Sequence, residues 1–217
     1  MLNIEVSAQD TALDLALAYL EHGYSPVPLM RHNKVPPKEL GGWQQFKDKQ
    51  PSEEQIKKWF EGRDDLVVAL ICGKFIVVDA DTPEAVIWAE KNLPNTPCKV
   101  VTGKGMHYYY NNPENYTTYV ARRTNSSDPA KLIDIRGAGG LIIAPYNIHA
   151  TGAIYEPKFI PGWDWHDTSD LPDFTKENWI QITGAEKING KPISTPFSMD
   201  GVVQGSRNDN AARLQVT

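Results

Sequence analysis

The chain is short of cysteines and of long hydrophobic runs, and each shortage excludes a class of protein. Its 217 residues include only two cysteines, Cys72 and Cys98, and neither lies in a Cys-x-x-Cys pair or a Cys/His cluster. This spacing excludes an ordinary zinc motif and fits a reducing compartment. Because no apolar run reaches the length of about 18 residues that a membrane helix needs, and no signal peptide is seen, we expect a cytoplasmic protein without membrane contact.

The chain also lacks an overall excess of basic charge. Its net charge is −5, with 41% hydrophobic and 23% charged residues, so we expect a folded domain with a real core and not a surface that is basic throughout. Residues 99–136 differ from the chain as a whole, because they contain six basic and three acidic residues and so carry a local charge of +3. This segment weakly indicates a polyanion-binding side. Its basic residues are Lys99, Lys104, Arg122, Arg123, Lys131 and Arg136.

Two common nucleotide-binding motifs are absent. No segment has the Walker spacing GxxxxGK[ST], and the glycines at 137–140 do not match GxGxxG. A phosphate-binding loop of the Walker type and a dinucleotide fingerprint are therefore not supported.

A pair of carboxylates follows one short apolar run. Residues 75–78 are β-branched or aromatic and predict a buried strand, while Thr82 and Pro83 predict the N-cap and first residue of a helix. Asp79 and Asp81 then lie at the end of the strand and point the same way. A divalent cation would explain two like charges so close together. The alternative is that they only form a strand end and a turn.

The segment 99–110 predicts a strand, a glycine turn and a second strand. Gly103 and Gly105 let the backbone bend tightly and expose N–H groups, which suits anion binding. Lys104 lies within the turn and His107 just beyond it. The alternative is a plain hairpin with a partly buried histidine.

A third strand is predicted at 131–136, where alternation places Asp134 and Arg136 on one face. Three carboxylates and a cationic turn are the groups that metal-dependent phosphoryl transfer requires. The carboxylates hold Mg²⁺ or Mn²⁺, which can activate an attacking 3′-hydroxyl. Cationic side chains and turn N–H groups hold the phosphates and offset developing charge.

These motifs resemble the primase-polymerase (Prim-Pol) domains of the archaeo-eukaryotic primase superfamily, of the kind found in plasmid, phage and prokaryotic replication proteins. The resemblance runs from about residue 12 to 155 and includes the hydrophobic-DxD motif at Asp79 and Asp81, the histidine motif at 103–110 and the acidic motif at 134–137. The second motif of the family is usually Ser-x-His, and here Gly105 stands at the serine position. Thr102 or a backbone N–H is the candidate to replace the phosphate contact of that serine.

The resemblance implies an α/β (α+β) fold, with an RRM-like catalytic core beside a smaller α/β amino-terminal subregion. It implies a DNA-dependent primase/polymerase that transfers nucleotides from NTPs or dNTPs to a 3′-hydroxyl during primer synthesis and extension. The implied partners are template and primer DNA, NTPs or dNTPs, and a replicative helicase in cis or in trans.

The resemblance also implies roles for particular residues. Asp79, Asp81 and Asp134 would be catalytic and hold a two-metal site of Mg²⁺ or Mn²⁺, and His107 would touch the phosphates of the incoming nucleotide. Chemistry and face direction add further nucleotide-binding and DNA-binding candidates. The nucleotide-binding candidates are Thr102, Gly103, Lys104, Gly105 and Arg136, and the DNA-binding candidates are Arg122 and Arg123.

The sequence also suggests how the chain is divided. We expect a catalytic domain at 1–183, a linker at 184–205 and the start of a truncated helical module at 206–217. The first helix is predicted to open at residues 7–10, with Leu13, Leu17 and Leu20 on its inward stripe. The polar loop 31–43 carries Lys34 and Lys38, which either contact nucleic acid or simply solvate the loop.

Competing functions remain at this stage. An Asp-x-Asp pair after a strand also fits a metal-dependent glycosyltransferase, although that function leaves His107 and Asp134 unexplained. A haloacid dehalogenase phosphatase needs DxDxT, and Thr82 comes one residue too early. A non-catalytic module that binds DNA and tethers a helicase is the alternative without enzymatic activity.

Overall fold

The computed structural model describes residues 11–121, 127–159 and 170–185. The described chain forms four α-helices and two antiparallel sheets. The helices are α1 (Ala12–Glu21), α2 (Glu53–Phe60), α3 (Pro83–Asn92) and α4 (Lys176–Thr183). The strands are β1 (Pro26–Met30), β2 (Leu66–Ile71), β3 (Phe75–Ala80), β4 (Cys98–Val101), β5 (Met106–Asn111), β6 (Ile133–Arg136), β7 (Leu141–Ile143) and β8 (Glu156–Phe159).

The larger sheet has five strands in the order β6-β3-β5-β4-β8. Strand β3 lies between β5 and β6 and pairs antiparallel with both. One face of β3, formed by Ile76, Val78 and Ala80, is fully buried in a core that also includes Ala85 of α3 and Trp179 of α4. This packing fixes the face to which the intervening residues, including Asp79, must point.

The smaller sheet has the order β1-β2-β7 and forms the amino-terminal subregion together with α1 and α2. Strand β1 lies at its edge, as Pro26 and Pro28 predict, because proline has no N–H to donate to a second neighbouring strand. The predicted capping box at the start of α2 is also present, with Ser52 and Gln55 exchanging side-chain and backbone hydrogen bonds.

The opposite face of β3 packs toward the smaller sheet. Val77 of β3 and Tyr109 of β5 belong to the same buried cluster as Val27 and Leu70 of the smaller sheet. The functional face of the large sheet therefore lies where the two sheets meet. The α+β fold class predicted from the sequence, with a smaller amino-terminal subregion beside the core, is confirmed.

The first described helix, α1, begins at Ala12, and the predicted opening at residues 7–10 lies outside the described residues. Thr11 is its N-cap and forms a capping box with Asp14. The side chains buried deepest in α1 are Leu15, Ala16 and Tyr19, whereas the predicted stripe of Leu13, Leu17 and Leu20 is only partly buried. The helix packs on both β1 and β2 as well as α2, and this broad contact shifts the buried face away from the leucines.

Other expectations concern the ends of the chain and the membrane. Apart from residues 184 and 185, the predicted linker and the predicted helical module at 206–217 lie outside the described residues. Within the described ranges, none of the helices is long and apolar enough to cross a lipid bilayer.

Candidate active site

Three polar side chains form one row across the middle of the large sheet. Asp79 on β3 is directly opposite His107 on β5 and directly opposite Asp134 on β6. Because directly opposite residues project to the same face of a sheet, the three side chains lie side by side. All three are buried, with exposed fractions of 6% for Asp79, 4% for His107 and 2% for Asp134. Such burial is costly for carboxylates unless a cation or hydrogen bonds compensate the charge.

Arg136 supplies such a cation. Its Nη2 donates to Asp134 Oδ2 at 2.9 Å and lies 3.6 Å from Asp79 Oδ2. Burial disfavours the charged guanidinium, but Asp134, Asp79 and Asp81 outweigh burial and raise the pKa of Arg136 above its usual value. The arginine therefore stays charged and offsets the negative charge of the acidic row.

His107 links the acidic pair to the neighbouring hairpin. Its Nε2 lies 3.4 Å from Asp79 Oδ1, longer than a good hydrogen bond. The imidazole ring lies 5.7 Å from the ring of Tyr155, measured between centroids. Its buried Nδ1 has no hydrogen-bond partner among the described residues. Such an atom is uncommon in a folded protein, because buried polar groups are usually hydrogen-bonded.

The second oxygen of Asp134 anchors an adjacent segment. Asp134 Oδ1 accepts a hydrogen bond from the backbone N–H of Ala121 at 2.9 Å. Ala121 directly precedes Arg122 and Arg123, the predicted DNA-binding residues, which lie outside the described residues. Their proposed role stays a prediction.

Gly105 is required by the close approach of two backbone segments. A Cβ atom built on Gly105 would lie 1.8 Å from the carbonyl oxygen of Ala80 and 3.2 Å from Cα of Asp81. No side chain fits there without a shift of the backbone at the end of β3. The glycine at the serine position of the family motif therefore allows the hairpin to pack against the residues around Asp81.

Two backbone N–H groups of the glycine turn form hydrogen bonds within the turn itself. Thr102 Oγ1 accepts hydrogen bonds from the N–H groups of Lys104 at 3.2 Å and Gly105 at 3.0 Å. These two donors are thus engaged within the turn, which differs from the arrangement that the sequence predicts. The Thr102 hydroxyl keeps its own proton for donation, and the side chain of Lys104 is exposed.

The donor chemistry of the row suits a hard cation. Carboxylate oxygens are the ligands that Mg²⁺ and Mn²⁺ prefer, and Asp79 and Asp134 place two of them on adjacent strands. Asp81 lies just beyond β3, and its charge acts on Arg136 together with those of Asp79 and Asp134. The described part of the chain nevertheless contains no group of three or more His, Cys, Asp or Glu side chains arranged to hold a metal ion. Asp79 and Asp134 are thus the described residues that could hold a cation, and the two-metal site stays a prediction.

A further polar group lies next to this row. Lys34, His149 and Tyr155 come together from two loops that are more than 100 residues apart. The sequence assigns no role to His149 or Tyr155, because a single histidine in a turn carries no periodicity. The only available signal was the lysine content of loop 31–43.

The fold and this face define an α+β domain with a buried acidic pair, a histidine and cations on one antiparallel sheet. Residues 16–173 match the family model described as bifunctional DNA primase/polymerase, N-terminal (Prim-Pol). The match covers more than half of the chain, which therefore belongs to the Prim-Pol family. No curated protein shows significant sequence similarity to this chain.

Proposed function

We propose that this domain is a metal-dependent DNA primase/polymerase that adds nucleotides from NTPs or dNTPs to a 3′-hydroxyl. The observation that carries the proposal is the buried row of Asp79, Asp134 and His107 across three adjacent strands. Membership of the Prim-Pol family supports it, since that family is one of DNA primases and polymerases.

Each residue has a proposed task. Asp79 and Asp134, with Asp81 beside them, would hold Mg²⁺ or Mn²⁺. A bound cation would supply charge neutralisation for the triphosphate and a lowered pKa for the 3′-hydroxyl. His107, which adjoins Asp79, orients the phosphates of the incoming nucleotide, and Lys104 adds a positive charge.

Arg136 has a proposed positioning role. Its contacts to Asp134 and Asp79 keep two like charges together on adjacent strands. A carboxylate pair that is already assembled needs less reorganisation when a cation arrives. The same guanidinium can turn toward the phosphates of a bound nucleotide, since its side chain is 21% exposed.

We further propose that the domain works on template and primer DNA in the cytoplasm, with a replicative helicase in cis or in trans. A second candidate is a non-catalytic module that binds DNA. It is favoured by the ion pairs of Arg136 with both carboxylates and by the absence of a three-ligand cluster among the described residues. Family membership gives no support to a glycosyltransferase.

Primer extension tests the proposal. The wild-type protein, Asp79→Asn and Asp134→Asn would receive a primed DNA template, Mg²⁺ or Mn²⁺, and dNTPs or NTPs separately. The exposed Asp173→Asn serves as the matched control. We expect metal-dependent extension that falls by at least about a hundredfold in the two site variants and not in the control, because even residues that only support metal ligands cost 10–100-fold. Wild-type protein that binds DNA but incorporates no nucleotide would contradict the proposal for this chain and favour either the non-catalytic module or a core that needs a helical partner.

A further inference from the structure

Tyr109 on β5 carries a buried hydroxyl that neither the fold nor the proposed reaction uses. The residue is only 6% exposed, and its Oη is a buried atom with no hydrogen-bond partner among the described residues. A buried hydroxyl without a partner destabilises a folded protein, whereas a phenylalanine of the same shape carries no such cost. The packing of the core therefore does not explain why this ring has a hydroxyl.

The other two tyrosines of β5 show the usual arrangement. Tyr108 Oη donates to Glu90 Oε1 at 3.1 Å, and Tyr110 Oη donates to the carbonyl oxygen of Pro94 at 3.0 Å. Both belong to the buried cluster that includes α3, on one face of the sheet. Tyr109 projects from the opposite face, because side chains alternate along a strand. The tyrosine with the unused hydroxyl is thus the one on the active-site face.

Tyr109 lies within reach of the acidic row. Asp79 on β3 is directly opposite His107, and Tyr109 is two residues farther along β5. Tyr109 is therefore the diagonal cross-strand neighbour of Asp79 on the same face. Diagonal neighbours are about 7–8 Å apart, a distance across which an aromatic side chain can still interact.

The ring and the backbone of Tyr109 are firmly held. The ring stacks on that of Phe75, with centroids 5.8 Å apart and an angle of 24° between the planes. The carbonyl oxygen of Tyr109 accepts a hydrogen bond from Thr96 Oγ1 at 2.6 Å. In this orientation the hydroxyl makes no direct hydrogen bond to Asp79. A polar link between these two side chains therefore needs a bridging water.

The Tyr109 hydroxyl keeps its proton at neutral pH. Tyrosine has an ordinary pKa of about 10, and burial raises the pKa of Tyr109 well above its usual value. Smaller electrostatic effects, including that of the Asp79 charge, act in the same direction. The hydroxyl is therefore available as a donor, and a negatively charged acceptor suits it best.

Asp79 can accept a further hydrogen bond. Its carboxylate lies 3.4 Å from His107 Nε2 and 3.6 Å from Arg136 Nη2, both longer than a good hydrogen bond. A carboxylate offers about four acceptor positions. Asp134, by comparison, accepts hydrogen bonds of 2.9 Å from both Arg136 and the N–H of Ala121. Asp79 is therefore the member of the acidic pair whose orientation depends more on additional donors.

We propose that Tyr109 is a positioning residue for Asp79, to which its hydroxyl donates through a buried water. Such a water typically makes about three hydrogen bonds. Tyr109 Oη, the Asp79 carboxylate and the buried His107 Nδ1 supply three partners on one face of the sheet.

The bridge orients the Asp79 carboxylate in the way that outer-shell groups orient metal ligands. This consequence for a bound cation rests on the proposed polymerase function. The link between Tyr109 and Asp79 does not depend on that function, so the two can be tested apart.

A double-mutant cycle measures the link without metal or substrate. Denaturant unfolding in EDTA would compare the wild-type protein, Tyr109→Phe, Asp79→Ala and the double variant. Tyr109→Phe keeps the ring and removes only the hydroxyl. The control is a parallel cycle with Tyr110→Phe, which removes a hydroxyl from the opposite face of the same strand. If the alanine variant does not fold, Asp79→Asn takes its place in both cycles.

We expect Tyr109→Phe to lower the ratio of folded to unfolded protein by about fivefold, the effect of one net hydrogen bond. In the Asp79→Ala background the same change should have little effect, so the two substitutions should be non-additive by about fivefold. Tyr110→Phe should lower the ratio equally in both backgrounds, because its hydroxyl bonds to Pro94 on the other face.

Mn²⁺ affinity, measured from the free ion by electron paramagnetic resonance, tests the positioning role. Tyr109→Phe should lower this affinity by about tenfold, at the lower end of the effect of outer-shell groups on metal binding. Tyr110→Phe should leave it unchanged.

Additive effects of Tyr109→Phe and Asp79→Ala would overturn the proposal. It would equally be overturned by a Tyr109→Phe variant at least as stable as the wild-type protein, since the hydroxyl would then have no partner. Unchanged Mn²⁺ affinity in Tyr109→Phe would overturn the positioning role. A wild-type protein that binds no Mn²⁺ would instead contradict the proposed polymerase function, and the double-mutant cycle would still decide the link between Tyr109 and Asp79.

Discussion

Asp79 and Asp134 lie directly opposite each other on adjacent strands, and a single guanidinium nitrogen of Arg136 approaches one oxygen of each, at 3.6 Å and 2.9 Å. Two buried carboxylates thus share one cation from within the chain. The guanidinium charge offsets the electrostatic repulsion between the aspartates that lie at neighbouring strand ends. We therefore expect Arg136 to couple the stability of the protein to the proposed binding of a cation by these carboxylates.

Replacing Arg136 tests this coupling. Arg136→Gln leaves two like charges on neighbouring strands without the internal cation. We expect the free energy of unfolding in EDTA to fall by about 3 kcal/mol, the usual cost of removing one member of a buried ion pair. Arg136→Lys should lose less, because it keeps the charge. Denaturant unfolding measures both.

Added Mn²⁺ should stabilise Arg136→Gln more than the wild-type protein, because the acidic pair is then open to an external cation. The comparison is the rise in melting temperature between EDTA and Mn²⁺. An equal rise in both proteins would show that Arg136 and the metal do not compete for these carboxylates.

Restoring the family's serine should harm this protein. Gly105→Ser places a Cβ at 1.8 Å from the Ala80 carbonyl oxygen, so the backbone at the end of β3 must move. We expect a loss of about 2 kcal/mol in unfolding free energy, typical of overpacking. In the control Gly103→Ser the new Cβ meets its nearest neighbours at 3.6 Å or more, and stability should change little. A serine at 105 that is tolerated as well as one at 103 would refute the packing explanation.

Asn147 is expected to be essential for stability although its side chain is polar. Its amide accepts from Val68 N–H at 2.8 Å and donates to Val68 O at 3.1 Å and Ala144 O at 2.9 Å, all buried. Asn147→Ala should lower the unfolding free energy by about 3 kcal/mol, because buried backbone groups lose their partners. The exposed Asn92→Ala is the control, and equal thermal stability of the two variants would contradict this role.

The titration of His149 should respond to its neighbours. Burial and the charges of Lys34 and Lys104 lower its pKa in the folded protein. The unfolded chain therefore binds the proton first, so this residue's contribution to stability begins to be lost as the pH falls below the unfolded value of about 6.5 and is fully lost below its lower pKa in the folded protein. In NMR titrations, Lys34→Asn should raise the pKa of His149. A pKa that responds equally to Lys38→Gln would contradict the proximity argument.

Local features of this fold could be predicted from the sequence. Thr82 and Pro83 form the predicted N-cap and first residue of α3, because capping depends on neighbours within one turn. Pro26 and Pro28 mark an edge strand for an equally local reason. The buried face of helix α1 was harder to predict, because it is set by three packing partners and not by the leucine spacing alone.

Only part of the candidate active site could be predicted from the sequence. Motifs predicted Asp79, His107 and Asp134 as members of one site, and the strand register brings them into a single row. The register itself depends on long-range pairing, which motif spacing does not encode. The approach of Lys34 to Tyr155 and the internal use of the Thr102 hydroxyl likewise depend on loop conformations that only the folded chain defines.

The most direct test of the account is a Mn²⁺ titration followed by the electron paramagnetic resonance of the free ion, with nucleoside triphosphate and primed DNA present. We predict that the wild-type protein binds Mn²⁺ under these conditions and that Asp79→Asn and Asp134→Asn lower its affinity by at least about tenfold, while Asp173→Asn does not. Equal Mn²⁺ affinity in all four proteins would contradict the assignment of the acidic pair as a metal-dependent nucleotidyl-transfer site.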